Sequence, residues 1–229
     1  TEKYYANERG KTEQYIGFEQ KGKLITFNPK SHVRMSPSFQ PEADGVTFHL
    51  KAVYTDTLRN EYSKEHSTHP IRMSRICGPV EVVNDTTFTV RFYRMGLDNP
   101  KRTGGICLMA SVKQDHKYRS AVQQVEIRIP YRNTEGIPQR IIFPKLSDVK
   151  ASVKEISLNG TADSGLPVYY YVKEGPAEIK GDKLVLTKIP PRAKFPVKVT
   201  VVAWQYGRSG EPKVQTAEAV EQSFYITAR

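Results

Sequence analysis

Short stretches of alternating apolar and polar residues recur along the chain. In Val197–Ala203, every second residue is apolar, with Lys198 and Thr200 between, so the segment has one apolar face. Ile179 and Leu184 flank a Gly-Asp turn, a pattern typical of a tight hairpin, and Asn84-Asp85 stands at the matching place earlier in the chain, where asparagine tolerates a positive φ. Neither half shows the i, i+3, i+4, i+7 spacing of an amphipathic helix. The pattern predicts an all-β protein.

The chain also repeats itself. Pro70–Pro79 aligns with Pro167–Pro176, with both prolines and one glycine matched. Four more blocks match in the same order: Leu24–Lys30 with Arg140–Lys145, Val80–Asp85 with Ala177–Asp182, Ile106–Ala110 with Val199–Ala203, and Ala121–Gln124 with Ala219–Gln222. A shared order of this kind predicts a tandem duplication of two units.

Short strands and frequent turns in units of roughly 100 residues are typical of an antiparallel β-sandwich. We therefore expect two tandem Ig-like sandwiches, at residues 24–131 and 141–229. Residues 132–140 are polar and contain Gly and Pro, which predicts a linker. Residues 1–23 are polar with scattered aromatics, and either end an upstream domain or add an edge strand.

The second unit resembles a bacterial immunoglobulin-like domain. The resemblance rests on Ile141–Pro144, Ser164–Val168, Glu174–Ala177, Gly181–Leu184 and Val197–Ala203. The first unit lacks the Ser-Gly-Leu-Pro turn and has a longer loop, Thr55–His69, so its membership rests on the internal match. Such domains recur in large secreted or surface proteins, including glycan-degrading enzymes. The resemblance implies an accessory module of a larger exported bacterial protein, and carries over no catalytic residue.

Composition and charge exclude several classes of protein. A hydrophobic fraction of 38% is too high for a disordered chain. No apolar stretch is long enough for a transmembrane helix, and we expect any signal segment to have been removed or to lie upstream. The net charge of +11 is spread over the chain, with 22 basic and 15 acidic residues before Ile141 and 13 and 9 after it. Nucleic-acid binders concentrate charge on one face, so we expect no nucleic-acid partner.

Candidate chemistry is sparse. Glu65, His66 and His69 could meet a divalent metal, but a solvated loop is the favoured interpretation, and we expect no metal site. Catalytic and phosphate-binding motifs are absent from the sequence, so neither an enzyme nor a cofactor is predicted. Cys77 and Cys107 have no zinc or redox spacing, and could form a disulfide in an exported protein.

Aromatic side chains of the second unit are the candidate ligand-binding residues. Alternation places Tyr170 on one strand face and Tyr169 and Tyr171 on the other. Trp204 falls on the expected outer face of its strand, with Tyr206 two residues later. Exposed aromatics of this kind could stack on sugar rings, or they could cover a neighbouring domain. The loops at Pro190–Lys194 and Arg208–Gly210 either carry binding or are plain turns.

The sequence thus predicts a non-catalytic spacer, orienting or interaction module of an extracytoplasmic protein, secreted, periplasmic or on the cell surface. Its partner would be an upstream domain of the same polypeptide, and the whole protein would act on glycans. The alternative is a carbohydrate-binding module that uses Trp204, Tyr206, Tyr169 and Tyr171, with polysaccharide as the partner.

Overall fold

The computed structural model describes residues 10–25, 37–56, 60–92 and 104–228, and in these ranges all regular secondary structure is β-strand. The all-β prediction is therefore confirmed for the described chain, which folds into two compact units. Of the described residues, unit 1 contains 10–25, 37–40, 47–56, 60–90 and 104–129, and unit 2 contains 41–46, 91–92 and 130–228.

The described residues of unit 1 form nine strands. They are β1 (Tyr15–Gln20), β2 (Lys23–Ile25), β3 (Thr47–His49), β4 (Lys51–Thr55), β5 (Arg72–Cys77), β6 (Val80–Val82), β7 (Thr87–Val90), β8 (Gly105–Val112) and β9 (Ala121–Arg128). Six of these strands form two three-stranded sheets, in the orders β2-β1-β4 and β3-β7-β6. The two sheets are continuous with each other, because only Leu50 separates β3 from β4. The other sheet has the order β5-β8-β9.

In the described part of unit 2 there are also nine strands. They are β10 (Ile141–Ile142), β11 (Val149–Lys150), β12 (Glu155–Ser157), β13 (Thr161–Ala162), β14 (Tyr169–Glu174), β15 (Ala177–Lys180), β16 (Lys183–Leu186), β17 (Val197–Trp204) and β18 (Val220–Thr227). Here β10-β13 and β12-β16-β15 are joined through the short break between β12 and β13, and the other sheet has the order β11-β18-β17-β14.

Both units have the strand order of an immunoglobulin-like sandwich. Seven strand positions describe each unit when an interrupted strand is counted once: β1 with β2 and β3 with β4 are the first and second positions of unit 1, and β10 with β11 and β12 with β13 are those of unit 2. The third to seventh positions are then β5 to β9 in unit 1 and β14 to β18 in unit 2. In each unit, the first, second, fifth and fourth positions follow one another in one layer, and the third, sixth and seventh pair in the other. A parallel pairing with the seventh strand accompanies this order in both, as β11 with β18 and as the bridge between Ser38 and Arg128. The fold is two tandem antiparallel Ig-like β-sandwiches.

The duplication extends to single-residue detail. Arg72 lies opposite Ser111 in unit 1, and Tyr169 lies opposite Trp204 in unit 2, at the positions that the sequence blocks align. The ladder shifts register between Arg75 and Cys77, and again between Val172 and Glu174, which are the equivalent residues. Both units therefore share one irregularity in the third strand.

A glycine follows this irregularity in each unit. Gly78 and Gly175 have φ values of 97° and 103°, in the left-handed region that favours glycine. A Cβ at Gly78 would lie 2.4 Å from the carbonyl oxygen of Gly105, and one at Gly175 would lie 2.6 Å from that of Lys198. The positive φ and the close approach of the sixth strand thus require glycine at this position in both units.

One sequence match is wrong by one residue. Ile106 pairs with Ile127, and its equivalent Val199 pairs with Phe224, so the structure aligns Ile127 with Phe224. The predicted match of Ala121–Gln124 with Ala219–Gln222 is one position out of this register. A slip of one residue exchanges the two faces of a strand, and the buried positions Ile127 and Phe224 decide between the alternatives.

The predicted hairpins are present, with different turn chemistry. Lys180 pairs with Lys183 across Gly181-Asp182, and Gly181 has φ of 64°, as a two-residue turn with glycine first requires. In unit 1, Asn84 does not adopt the positive φ that its place in the turn suggests. Its side-chain oxygen instead accepts hydrogen bonds from the backbone N–H groups of Thr86 and Thr87, both at 2.9 Å.

Residues 132–140 do not form a free linker. The backbone N–H of Asn133 donates to Thr216 Oγ1 at 2.8 Å, and the Asn133 side chain donates to the carbonyl oxygen of Tyr206 at 2.9 Å. Gln139 is 7% exposed and donates to the carbonyl oxygen of Gln215 at 2.6 Å. This segment belongs to unit 2, because its polar side chains satisfy backbone groups there.

The N-terminal segment contains a strand of unit 1. Strand β1 pairs with β4 from Tyr15 opposite Thr55 to Glu19 opposite Lys51, and buries Ile16 and Phe18. Strand β1 lies between β2 and β4, so Tyr15–Gln20 is not the edge strand offered as an alternative for residues 1–23. Residues 1–9 lie outside the described part. Leu24 and Ile25 are in β2, and the rest of the predicted block, Thr26–Lys30, also lies outside it.

Candidate functional site

Four aromatic side chains of unit 2 form a cluster, here called the aromatic cluster: Phe92, Tyr169, Trp204 and Tyr206. The Phe92 ring meets Trp204 edge-on, with centroids 4.7 Å apart and planes at 83°. Tyr169 stacks on the indole at 4.9 Å, and Phe92 lies 5.8 Å from Tyr206. Edge-to-face and offset stacking at these distances add to the burial of apolar area.

Most of the cluster is interior and Tyr169 is half-buried, which corrects the expected exposed surface. Trp204 and Tyr206 are 0% exposed and Tyr171 is 5% exposed. The alternation itself is correct, because Tyr170 lies in the main core and Tyr169 and Tyr171 point to the opposite face. That opposite face is covered at Thr200, Val202 and Trp204, so this part of β17 is buried on both sides. Trp204 therefore offers no surface on which a sugar ring could stack.

Sequence reasoning missed Phe92. This residue stands in the first half of the chain, and nothing in its local sequence indicates a place in unit 2. It is 2% exposed and contacts both Trp204 and Tyr206. Its neighbour Arg91 places its guanidinium 5.2 Å from the centre of the Tyr169 ring, in cation–π geometry. Burial raises the pKa of the Tyr169 phenol above its usual value.

Polar atoms of the cluster are unequally satisfied. The Tyr206 hydroxyl donates to the carbonyl oxygen of Pro130. Gln205, between the two aromatics, donates to the carbonyl oxygen of Pro167 at 2.6 Å and accepts from the N–H of Gly207 at 2.5 Å. Among the described residues, the indole N–H of Trp204 has no hydrogen-bond partner. Buried side chains that bind nearby backbone groups in this way are typical of a packed structural core.

An open cleft of about 520 Å³ lies in unit 1, between β4 and the segment that follows it. Its aromatic lining consists of Tyr54, Tyr62 and the imidazole of His66, which lies 4.1 Å from the Tyr54 ring at an angle of 7°. Tyr62 is 49% exposed, and its hydroxyl donates to Glu19 at 2.6 Å. The cleft therefore combines an exposed ring with fixed polar groups.

The possible metal ligands do not converge. Glu65 forms an ion pair with Lys117 at 3.0 Å, and the hydrogen bond from that ammonium lowers the pKa of the Glu65 carboxyl. His66 Nδ1 donates to the carbonyl oxygen of Ser67 at 2.7 Å, which fixes its tautomer. His66 and His69 both line the cleft, whereas Glu65 does not. Among the described residues, no group of three or more His, Cys, Asp or Glu side chains could hold a metal ion.

The two cysteines lie directly opposite each other on β5 and β8. Cys77 is exposed, Cys107 is half-buried, and both are free thiols. Burial, and next the neighbouring Cys77, raise the pKa of the Cys107 thiol. The fold thus brings together two residues that are far apart in sequence and show no motif spacing.

The predicted end loops are built mainly by turn chemistry. Arg208 donates to the carbonyl oxygens of Pro212 at 2.8 Å and Ala43 at 3.0 Å, so its guanidinium fixes backbone within unit 2. Arg208 and Ser209 line a second cleft of about 250 Å³. Pro190 and Pro191 lie between β16 and β17, outside any strand, as proline requires.

Comparison with known proteins adds weak likenesses only. No family model matches the chain, and no curated protein matches it. Human protocadherin-24 EC1-2 is 13% identical with a TM-score of 0.31, over 85% of this chain and 94% of that one. Drosophila N-cadherin EC1-4 is 10% identical with a TM-score of 0.29, over 95% and 67%. Mouse cadherin-23 EC22-24 is 17% identical with a TM-score of 0.28, over 94% and 65%. Likenesses of this size support no argument about function.

No helix that is long and apolar enough to cross a membrane occurs among the described residues.

Proposed function

We propose that this chain is a non-catalytic structural module of a longer exported bacterial polypeptide, which spaces or orients a neighbouring domain. The resemblance of unit 2 to bacterial immunoglobulin-like domains motivates the exported, bacterial setting and a glycan-active neighbour. The observation that carries the proposal is the burial of aromatic side chains inside unit 2. The only tryptophan and its neighbour Tyr206 fill an interior cluster of unit 2, where their burial supports a structural role.

A spacer must resist bending along the chain. The segment predicted to be a linker supports this role, because the side chains of Asn133 and Gln139 donate hydrogen bonds to backbone groups of unit 2. Ordered polypeptide transmits a fixed separation, whereas a Gly-rich coil of the same length samples many separations. The proposed mechanism is mechanical and requires no catalytic chemistry in either unit.

Single-molecule energy transfer between dyes near the two ends tests this proposal. Thr12→Cys and Ala228→Cys provide labelling sites in a chain whose native cysteines are replaced by serine. We expect one narrow distribution of distances that is unchanged by salt. A broad distribution, as from a freely jointed pair, would overturn the spacer role. Chains that carry the donor dye alone are the control for dye photophysics.

A second candidate function is carbohydrate recognition, and the cleft of unit 1 favours it. Tyr62 presents an exposed ring there, and Glu19, Lys51 and His69 supply polar groups at the same cleft. Aromatic faces beside hydrogen-bonding groups are suited to the apolar faces and hydroxyls of sugars. This candidate uses none of the four aromatic residues predicted from the sequence.

A glycan-array screen of the whole chain tests this second function. Binding through the cleft should be saturable, should fall at least tenfold in Tyr62→Ala, and should persist in Tyr225→Ala. Tyr225 is the matched control, because it is 42% exposed and lies in unit 2. Equal binding by both variants, or no binding to any glycan by a folded chain, would exclude the cleft as a sugar site.

A further inference from the structure

Cys77 and Cys107 occupy a cross-strand position whose geometry suits a disulfide. They are direct partners in the antiparallel pairing of β5 with β8, at the end of the register shift. Cα atoms of directly opposed residues in antiparallel strands lie about 4.5–5.5 Å apart. Disulfides span Cα separations of roughly 4.4–6.8 Å. The two ranges overlap, so directly opposed cysteines are compatible with a disulfide.

The duplicated unit shows how side chains at this position are directed. Glu174 and Thr200 of unit 2 are the equivalents of Cys77 and Cys107, and they too are direct partners after a register shift. Their side chains meet, with Thr200 Oγ1 donating to Glu174 Oε2 at 3.3 Å. Opposed residues of one ladder lie on the same face of the sheet. The contact in unit 2 is an internal control for the direction of the cysteine side chains.

We infer that Cys77 and Cys107 form an intramolecular disulfide that links the third and sixth strands of unit 1 when the protein is in an oxidising compartment. Two S–H bonds break and one S–S bond forms. The two electrons and two protons pass to a disulfide oxidant such as oxidised glutathione, which becomes two thiols. Exposed Cys77 is the sulfur that such an oxidant reaches first.

The link would act on the folding of unit 1. It closes a loop from Gly78 to Ile106, which includes strands β6 and β7. Closing a loop of this length restricts the unfolded chain and stabilises the folded state. The inference rests on the register alone and does not depend on the proposed function. An exported setting supplies the conditions under which disulfides persist.

Mass spectrometry and thiol titration of the whole chain test the inference. The chain is equilibrated with a reduced and oxidised glutathione buffer at the redox potential of a secretory compartment. We expect both thiols to disappear, the intact mass to fall by two hydrogens, and a peptide containing Cys77 linked to Cys107. The unfolding midpoint should rise by roughly 10 °C relative to the reduced chain, and this rise should be absent in Cys77→Ser.

Unit 2 provides a matched control for the geometry. Glu174→Cys with Thr200→Cys, placed in a chain that carries Cys77→Ser and Cys107→Ser, creates the equivalent pair. A disulfide between Cys77 and Cys107 in the native chain supports the inference, whether or not the engineered pair of unit 2 also oxidises in its own chain. Persistence of two free native thiols in this buffer overturns it, as does a product that contains only glutathione adducts or linked dimers.

Discussion

Trp204 is the largest fully buried side chain among the described residues. Its ring contacts Phe92 and Tyr169, and within the described part of the chain its indole N–H has no hydrogen-bond partner. A buried, unpaired donor costs free energy, so the apolar contacts of the ring must exceed this cost. Burial of the indole ring stabilises unit 2, whereas burial of the unpaired N–H opposes folding.

Substitutions at Trp204 separate these two contributions. Trp204→Ala leaves a cavity and should lower the free energy of unfolding by about 3–5 kcal/mol. Trp204→Phe keeps a ring, removes the unpaired N–H, and should cost less than half as much. Urea denaturation followed by circular dichroism measures both, with Tyr225→Ala as the exposed control, expected within about 0.5 kcal/mol of the parent. Equal losses in the two Trp204 variants would contradict this assignment.

Asp115 fixes the turn between β8 and β9. Its Oδ1 accepts hydrogen bonds from the backbone N–H groups of Tyr118 at 2.7 Å and Lys117 at 2.8 Å. The bond from Tyr118 is the main cause that holds the pKa of Asp115 at about 2, below the usual value for an aspartate. A carboxyl with a lowered folded-state pKa stabilises the fold above its unfolded pKa.

The stability that Asp115 contributes should therefore depend on pH. It is fully present above about pH 5 and is lost as the pH falls from about 4 towards 2. We expect Asp115→Ala to be less stable than the parent near pH 7, and the difference in their unfolding midpoints to shrink across this window. Thermal denaturation between pH 2 and pH 7 measures the difference. A difference that stays constant with pH would show that the charge of Asp115 does not contribute.

Turn glycines act at the level of the strand pair. Gly78 and Gly175 each follow a register shift and each adopt a positive φ against the backbone of the sixth strand. The same combination in both units shows that the irregular third strand and its glycine form one structural device. The identical offset of the sequence blocks at Gly78-Pro79 and Gly175-Pro176 follows from this shared requirement.

Replacing either glycine should destabilise its own unit. Gly78→Ala and Gly175→Ala place a Cβ within 2.6 Å of a carbonyl oxygen and in a strained backbone conformation, at a cost of roughly 1–3 kcal/mol or more. Gly210→Ala is the control, because a Cβ there meets nothing within 4 Å. Hydrogen exchange, read separately over each unit, measures the loss. Protection that stays unchanged in either alanine variant would refute the shared device.

At the scale of the whole chain, unit 2 is discontinuous in sequence. Its described residues include 41–46 and 91–92 as well as 130–228. Phe92 covers Trp204, the carbonyl oxygen of Pro130 binds the Tyr206 hydroxyl, and Asn133 binds the Tyr206 carbonyl oxygen. A boundary at Ile141, as the sequence predicts, would remove all three partners.

A fragment of residues 141–229 should therefore fail to bury its aromatic cluster. Trp204 is the only tryptophan, so its fluorescence reports this site alone. We expect the emission of the fragment to shift towards that of a solvated indole, and its unfolding midpoint to fall, whereas a fragment of residues 130–229 should be intermediate. The whole chain is the reference. A blue-shifted spectrum from 141–229, equal to that of the whole chain, would show that the earlier segments are dispensable.

The amino-acid sequence by itself determined the fold class, the duplication and the sandwich architecture. Strand periodicity, Gly-Asp turns and Gly-Pro breakers are local signals, and the repeat presents each signal twice, so local chemistry was sufficient. It also placed Tyr170 in the core and Tyr169 and Tyr171 on the opposite face. Two-residue alternation is a property of an isolated strand, and it distinguishes faces without any knowledge of neighbours.

Only the tertiary structure decided what covers each face. Alternation assigned Trp204 to an outer face, but Phe92 from a distant part of the chain buries it. The same limit applies to Asn133 and Gln139, whose polar side chains indicated a linker but satisfy backbone groups of unit 2. It applies equally to the pairing of Cys77 with Cys107, which follows from strand register. Burial and register are set by contacts between residues remote in sequence, and local pattern carries no information about those contacts.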